Sequence, residues 1–308
     1  MRYVYGGLRI ASELAFARLT PADPADAGAA DLEVHVADCA AAPGRGRKLY
    51  QWPGRFEMSL WSDGADWVFH SARMGLDVAL SADGRTLRCH PQGADADSLC
   101  EFVIRRVLPR AAHLHGRLTT HAALVQGPHG CLMLAGPSGA GKSTLSTALG
   151  LMAGWRQLSD DISILAADGR GAWASAPGAY LTPTSRAGLG LDAGEGGGDP
   201  SHSGKAWFGV GALASEPAPI AGLVFLHRRD DVRAPRLTQL SRAEALHALI
   251  PQFIRFNPSD PAAEARLFQS FAAAIGGFGG YLLEYPSDYA ALPAVGVELR
   301  RAGALARV

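Results

Sequence analysis

The chain has 308 residues, 48% of them hydrophobic and 19% charged, enough for two domains whose cores need no disulfide staples. Its 29 basic and 29 acidic side chains cancel, so no overall field draws it to nucleic acid or to an anionic membrane surface. No apolar run is long enough to span a bilayer, no cationic and apolar leader opens the chain at Met1, and Cys39, Cys89, Cys100 and Cys131 share no metal-type or disulfide-type spacing, so a reduced cytoplasmic protein is expected.

Residues 1–116 read as a small strand-rich α+β domain. Strands are expected at Tyr3–Ile10, Leu32–Val36, Phe56–Trp61, Trp67–Ser71, Leu76–Ser81 and Thr86–His90, with turn signals at Ser62–Gly64 and Ala82–Gly84, the pattern of a meander. Thr20–Ala30 and Ala40–Gly46 read as surface loops. From Asp95 the period changes: Leu99, Phe102, Val103 and Val107 fall at helical spacing behind an acidic first turn. That helix is expected to lead to a domain boundary near Arg117.

Residues 117–308 alternate strands with helices, and intruding hairpins predict an α/β domain with a mixed sheet. The expected order is a strand over Leu118–Gln126, a turn at Gly127–Gly130, a buried strand over Cys131–Ala135, a glycine-rich loop and a helix from about Lys142. Further strands are expected at Gln157–Ala166, Gly171–Ser175, Ala206–Val210, Ile220–His227 and Tyr281–Tyr285, with helices at Arg242–Phe253 and Pro261–Ile275 and a short one to the end. Ala193–Gly204 is too glycine-rich and polar to pack and is expected to be a mobile lid ending at Lys205.

Gly136-Pro137-Ser138-Gly139-Ala140-Gly141-Lys142-Ser143 satisfies G-x-x-x-x-G-K-[ST] between an expected strand and an expected helix. Such a loop turns backbone N–H groups onto phosphate oxygens, the lysine reaches the outer phosphates, and the serine hydroxyl can ligate magnesium. With only Lys48, Lys142 and Lys205 in the chain, a lysine at that position carries information. Gly136, Ser138, Gly139, Ala140, Gly141, Lys142, Ser143 and Thr144 are therefore the candidate phosphate-binding set. Downstream, Asp160-Asp161 follows a short strand. By itself the pair also fits a surface turn or an N-cap. Behind a phosphate loop it offers a metal ligand and a proton acceptor, and adjacent acids can trade those roles.

Thr120-His121-Ala122-Ala123-Leu124-Val125, then GPSGAGKSTL, then GWRQLSDD, resembles the catalytic domain of HPr kinase/phosphorylase, whose phosphate-loop fold is related to that of phosphoenolpyruvate carboxykinase. The opening Tyr5–Leu14 and the closing Tyr281–Pro286 are similar to a narrower branch, the HPr-kinase-like proteins of lasso-peptide biosynthesis, which phosphorylate the C-terminal serine of the precursor peptide. The resemblance implies that His121 sits near the transferred phosphate, Lys142 and Ser143 bind phosphate and magnesium, Asp160 is the general base and Asp161 helps hold the metal. It implies ATP and Mg2+, a peptide or protein partner with an acceptor serine, and hexamer-forming relatives, which leaves a homo-oligomer open. Thr144 stands where HPr kinase carries a glutamate, and the first third does not look like that enzyme's regulatory domain, so HPr itself and phosphorylase activity do not follow. A nucleotide-dependent regulatory ATPase and a small-molecule hydroxyl kinase fit the same motifs. Arg228, Arg229 and Arg255 could each neutralise phosphate charge, and exposed ion pairs are the expectation for each.

Overall fold

In a computed structural model the described residues are 1–25, 28–37, 45–54, 57–176, 178–191, 204–209 and 216–305. Cys39 and the expected lid, except Gly204, lie outside them. No helix among the described residues is long and apolar enough to cross a membrane. Cys89, Cys100 and Cys131 are free thiols, and burial pushes Cys89 and Cys131 up to about 12.

The protein is a mixed α/β structure built on two nine-stranded sheets. The first contains β1 (Arg2–Tyr5), β2 (Leu8–Ser12), β3 (Thr20–Pro21), β4 (Leu32–Val36), β5 (Arg47–Gln51), β6 (Met58–Ser62), β7 (Asp66–Ser71), β8 (Leu76–Ser81) and β9 (Thr86–His90), in the order β3-β1-β2-β4-β9-β8-β7-β6-β5. Strands β5 to β9 form the meander. Tyr3–Ile10 is a hairpin rather than one strand: Gly6 and Gly7 both take positive φ, 58° and 76°, as a two-residue turn that follows strand twist requires. Asp95 caps α1 (Ala96–Phe102) by accepting from the Ser98 amide, and one π-helical turn, Val103–Val107, runs on into α2 (Leu108–Leu114).

The second sheet starts with β10 (Arg117–Thr120), β11 (Ala123–Gly127), β12 (Gly130–Ala135), then, after α3 (Lys142–Gly150), β13 (Arg156–Ser159), β14 (Ser163–Ala166) and β15 (Gly171–Trp173). β16 (Gly178–Leu181) and β17 (Ala206–Gly209) pair with each other, flanking α4 (Pro183–Gly188) in sequence. The chain ends with β18 (Ala218–Arg228), β19 (Arg236–Leu240), α5 (Arg242–Leu249), α6 (Pro261–Ile275), β20 (Gly279–Tyr285) and α7 (Leu292–Leu305), the last longer than expected. β12, β18 and β20 are parallel neighbours, with β11, β13 and β19 antiparallel outside them. β10, β14 and β15 form an arm attached at the start of β18.

Side-chain alternation along β12 makes this a three-layer unit. Leu132 and Leu134 pack with Leu145 and Leu149 of α3 and Val295 and Leu299 of α7; Cys131 and Met133 pack on the other face with Leu249 of α5 and Phe271 of α6. Ile162 and Ile164 instead join the core of the first sheet, so the two sheets share apolar contacts.

Two expected strands are each broken in two, and both breaks matter. Leu118–Gln126 divides at His121–Ala122, and Gln157–Ala166 divides at Asp160–Ile162. β10 and β14 are paired through Thr120 and Ser163, while β11 and β13 are paired through Leu124 and Ser159, so the two chains leave one branch of the sheet together and enter the other. The breaks fall on polar residues, His121 and Asp160-Asp161, between buried halves.

Candidate functional site

The site lies where the two paired breaks meet the loop between β12 and α3. Gly141 is left-handed, φ 94°, and its bare Cα faces the Tyr285 hydroxyl, which donates to the Ala140 carbonyl at 2.7 Å. An added Cβ would stand 2.5 Å from that oxygen. Gly141→Ala is therefore expected to deform the loop and abolish nucleotide binding, with little change in melting temperature; calorimetric titration with nucleotide checks it. Tyr285, invisible as a loop support in sequence, holds the loop from the end of β20.

Lys142 is 8% exposed and donates to the Gly136 carbonyl at 2.7 Å and the Pro137 carbonyl at 3.3 Å, so it packs along the loop instead of extending into solvent. Burial lowers its pKa, and Asp161 and Asp160 oppose that shift. Lys205 is near enough to add its own lowering effect. Thr144 exchanges a hydrogen bond with Ser185 at 2.9 Å, while Ser138 and Gly139 form the exposed tip of the loop.

His121 is anchored through its backbone, whose N–H donates to the Gln252 carbonyl at 2.7 Å, and its Nδ1 lies 3.2 Å from Asp161 Oδ1. Asp161 also accepts from Arg105 Nη2 at 3.1 Å. Burial would raise the Asp161 pKa, but His121, Arg105 and Arg106 overcome it and hold the carboxyl well below its ordinary range. Asp161 pulls the His121 pKa upward, yet partial burial and the charges of Lys142, Arg106 and Arg105 win and lower it, favouring the neutral imidazole.

Asp160 has the opposite environment. It is 9% exposed, Oδ2 accepts from the Tyr180 amide at 3.2 Å, and Oδ1 is buried without a hydrogen-bond partner. Burial first, and Asp161 second, push its pKa up to about 6, against the favourable contact of the Ser143 hydroxyl. The acid beside Ser143 is thus Asp160, whereas the resemblance implies Asp161. The reason is the break itself: the chain turns after Ser159, bringing Asp160 to the start of α3 and Asp161 to the His121 corner.

Arg105 and Arg106 belong to no sequence motif. They sit on the π-helical turn, an irregularity often found at functional sites, and the signal available was a pair of arginines inside an apolar helix. A crevice of about 30 Å³, room for about two waters, opens onto Asp160 and Asp161 between Arg105, Tyr5, Tyr180 and Trp207. Arg18 lies 5.1 Å over the Tyr180 ring and pairs with the buried Glu101. Of the other arginines, Arg229 pairs with Glu284 at 2.6 Å and Arg255 with Glu264 at 3.0 Å, as expected of exposed ion pairs. Arg228 has no such pair among the described residues.

Neither a protein-family model nor a curated protein matches this chain.

Proposed function

We propose that this chain is an ATP- and magnesium-dependent kinase that transfers the γ-phosphoryl group to a small aliphatic hydroxyl, a peptide serine, on a phosphate-loop domain of the HPr-kinase type. The observation that carries this reading is convergence: Lys142 and Ser143, His121, and the Asp160-Asp161 pair come from three separate stretches of chain; Ser143 and Lys142 act on Asp160, His121 contacts Asp161, and Asp160 Oδ1 is buried without a hydrogen-bond partner. An ionised carboxylate so placed is costly unless a cation joins it.

The donors suit magnesium. Among the described residues no three acidic, histidine or cysteine side chains form a metal cage, and magnesium needs none, taking one or two protein ligands with water and phosphate. Ser143 and Asp160 would hold it, and when bound it neutralises charge on the transferred phosphoryl group. Asp161, already paired with the Arg105 guanidinium, is a poor proton acceptor; its part is to hold His121 with Nδ1–H toward it, leaving Nε2 to take the proton of the acceptor hydroxyl. Arg105 and Arg106 add fixed positive charge beside the reacting groups. The two acids therefore exchange the roles that the resemblance implies. The narrow crevice over them supports a hydroxymethyl acceptor over a bulky one, in keeping with the C-terminal serine of a lasso precursor peptide.

The test is single-turnover reaction of γ-labelled ATP with a serine-ended peptide. Label is expected on the peptide sooner than in inorganic phosphate, and excess chelator should stop it. Label appearing in inorganic phosphate alone, unaffected by peptide, would make the chain an ATPase.

A further inference from the structure

A second cleft, of about 250 Å³, opens at the other end of the phosphate loop. It shares no lining residue with the crevice over Asp160 and Asp161. Its floor is Gly141 and Thr144, which flank Lys142 and Ser143, so a ligand whose phosphates lie on the loop continues into this space on the side away from the acids. Its walls are Tyr289, Leu292 and Pro286, with Arg228 at the edge. Tyr289 is half-buried and fixed against Gly188, where an added Cβ would stand 2.5 Å from the ring. A wall of apolar and aromatic groups with a few polar ones at the rim is the usual composition of a small-molecule pocket. Arg228 takes part in no ion pair or side-chain hydrogen bond among the described residues, although carboxylates pair with its neighbour Arg229.

We infer that this cleft is the nucleoside pocket: it takes the aromatic base and ribose of the nucleotide, with the base against Tyr289 and Leu292 and Arg228 facing the anionic end. This assignment rests on the nucleotide reading of the loop. It also divides the site by size, with the roomy cleft for the nucleoside and the narrow crevice for the acceptor hydroxyl.

The test compares two ligands, ATP and inorganic tripolyphosphate, each with magnesium, by calorimetric titration of the full chain. Tyr289→Ala removes the wall; because that ring also packs on Gly188, Ser287→Trp, at an exposed rim position, fills the cleft without touching the core. Both variants are expected to weaken ATP at least tenfold and to leave tripolyphosphate unchanged. Unaltered ATP affinity in Ser287→Trp and Tyr289→Ala, or equal loss of both ligands, overturns the pocket and leaves the loop reading standing. Binding of neither ligand to the unaltered protein overturns the loop reading, and the pocket with it.

Discussion

Lys142→Ala is expected to lower phosphoryl transfer by at least about a hundredfold, the effect of losing one charge placed on the transition state. In a chain with three lysines, only Lys205 besides Lys142 is near the loop, and its charge acts on Lys142 from outside the motif. The side chain is buried, contrary to what an exposed loop position suggests, so the substitution also leaves the Gly136 and Pro137 carbonyls without their donor. That costs about 1–3 kcal/mol, a drop of several degrees in melting temperature but no loss of fold. Single-turnover transfer measured beside a circular dichroism melt checks both parts. Near-normal turnover in a folded variant would place the reaction elsewhere.

The second large effect separates Asp160 from His121. Asp160→Asn removes the uncompensated charge, so magnesium and the magnesium–nucleotide complex are expected to bind at least tenfold more weakly. The same variant should be more stable than the parent without ligand. A folded-state pKa raised from 3.8 to about 6 means that the ionised form is disfavoured in the fold, by roughly 3 kcal/mol at neutral pH, and the penalty starts to shrink as pH falls below about 6 and is gone only below 3.8, where the group is protonated in the unfolded chain as well. An amide of the same shape carries no such penalty, so a rise of roughly 1–3 kcal/mol is expected near pH 7, shrinking steadily below about pH 6 toward none well below 3.8. His121→Gln should keep nucleotide affinity and slow the chemical step by roughly a hundred to ten thousand fold. Should Asp160→Asn instead bind magnesium normally and lose only the chemical step, Asp160 is the proton acceptor, as the resemblance implies.

The phosphate loop was legible because its chemistry is local. Glycines at fixed offsets, a lysine and a serine must be adjacent in sequence to wrap one phosphate chain, and a buried strand and a helix on either side are readable from their hydrophobic runs. For the same reason Asp95 and Pro261 marked helix starts that the fold retains. His121 and Asp160-Asp161 could be chosen only by their order around the loop. That they meet is decided by the pairing of β10 with β14 and of β11 with β13 on either side of the breaks, which spacing along the chain does not reveal. Which acid stands beside Ser143 depends on a turn of one residue, and successive residues face opposite ways, so sequence spacing could not assign it. Tyr285, Arg105 and Arg106 lie 145, 37 and 36 positions from Ala140, Lys142 and Lys142 by numbering, and only tertiary packing makes them part of the site. The glycine-lysine loop between a buried strand and a helix is a local pattern and could be read along the chain; the sheet breaks and the π-helical turn, through burial and charge, placed Asp160 beside Ser143 and Asp161 beside His121 and Arg105.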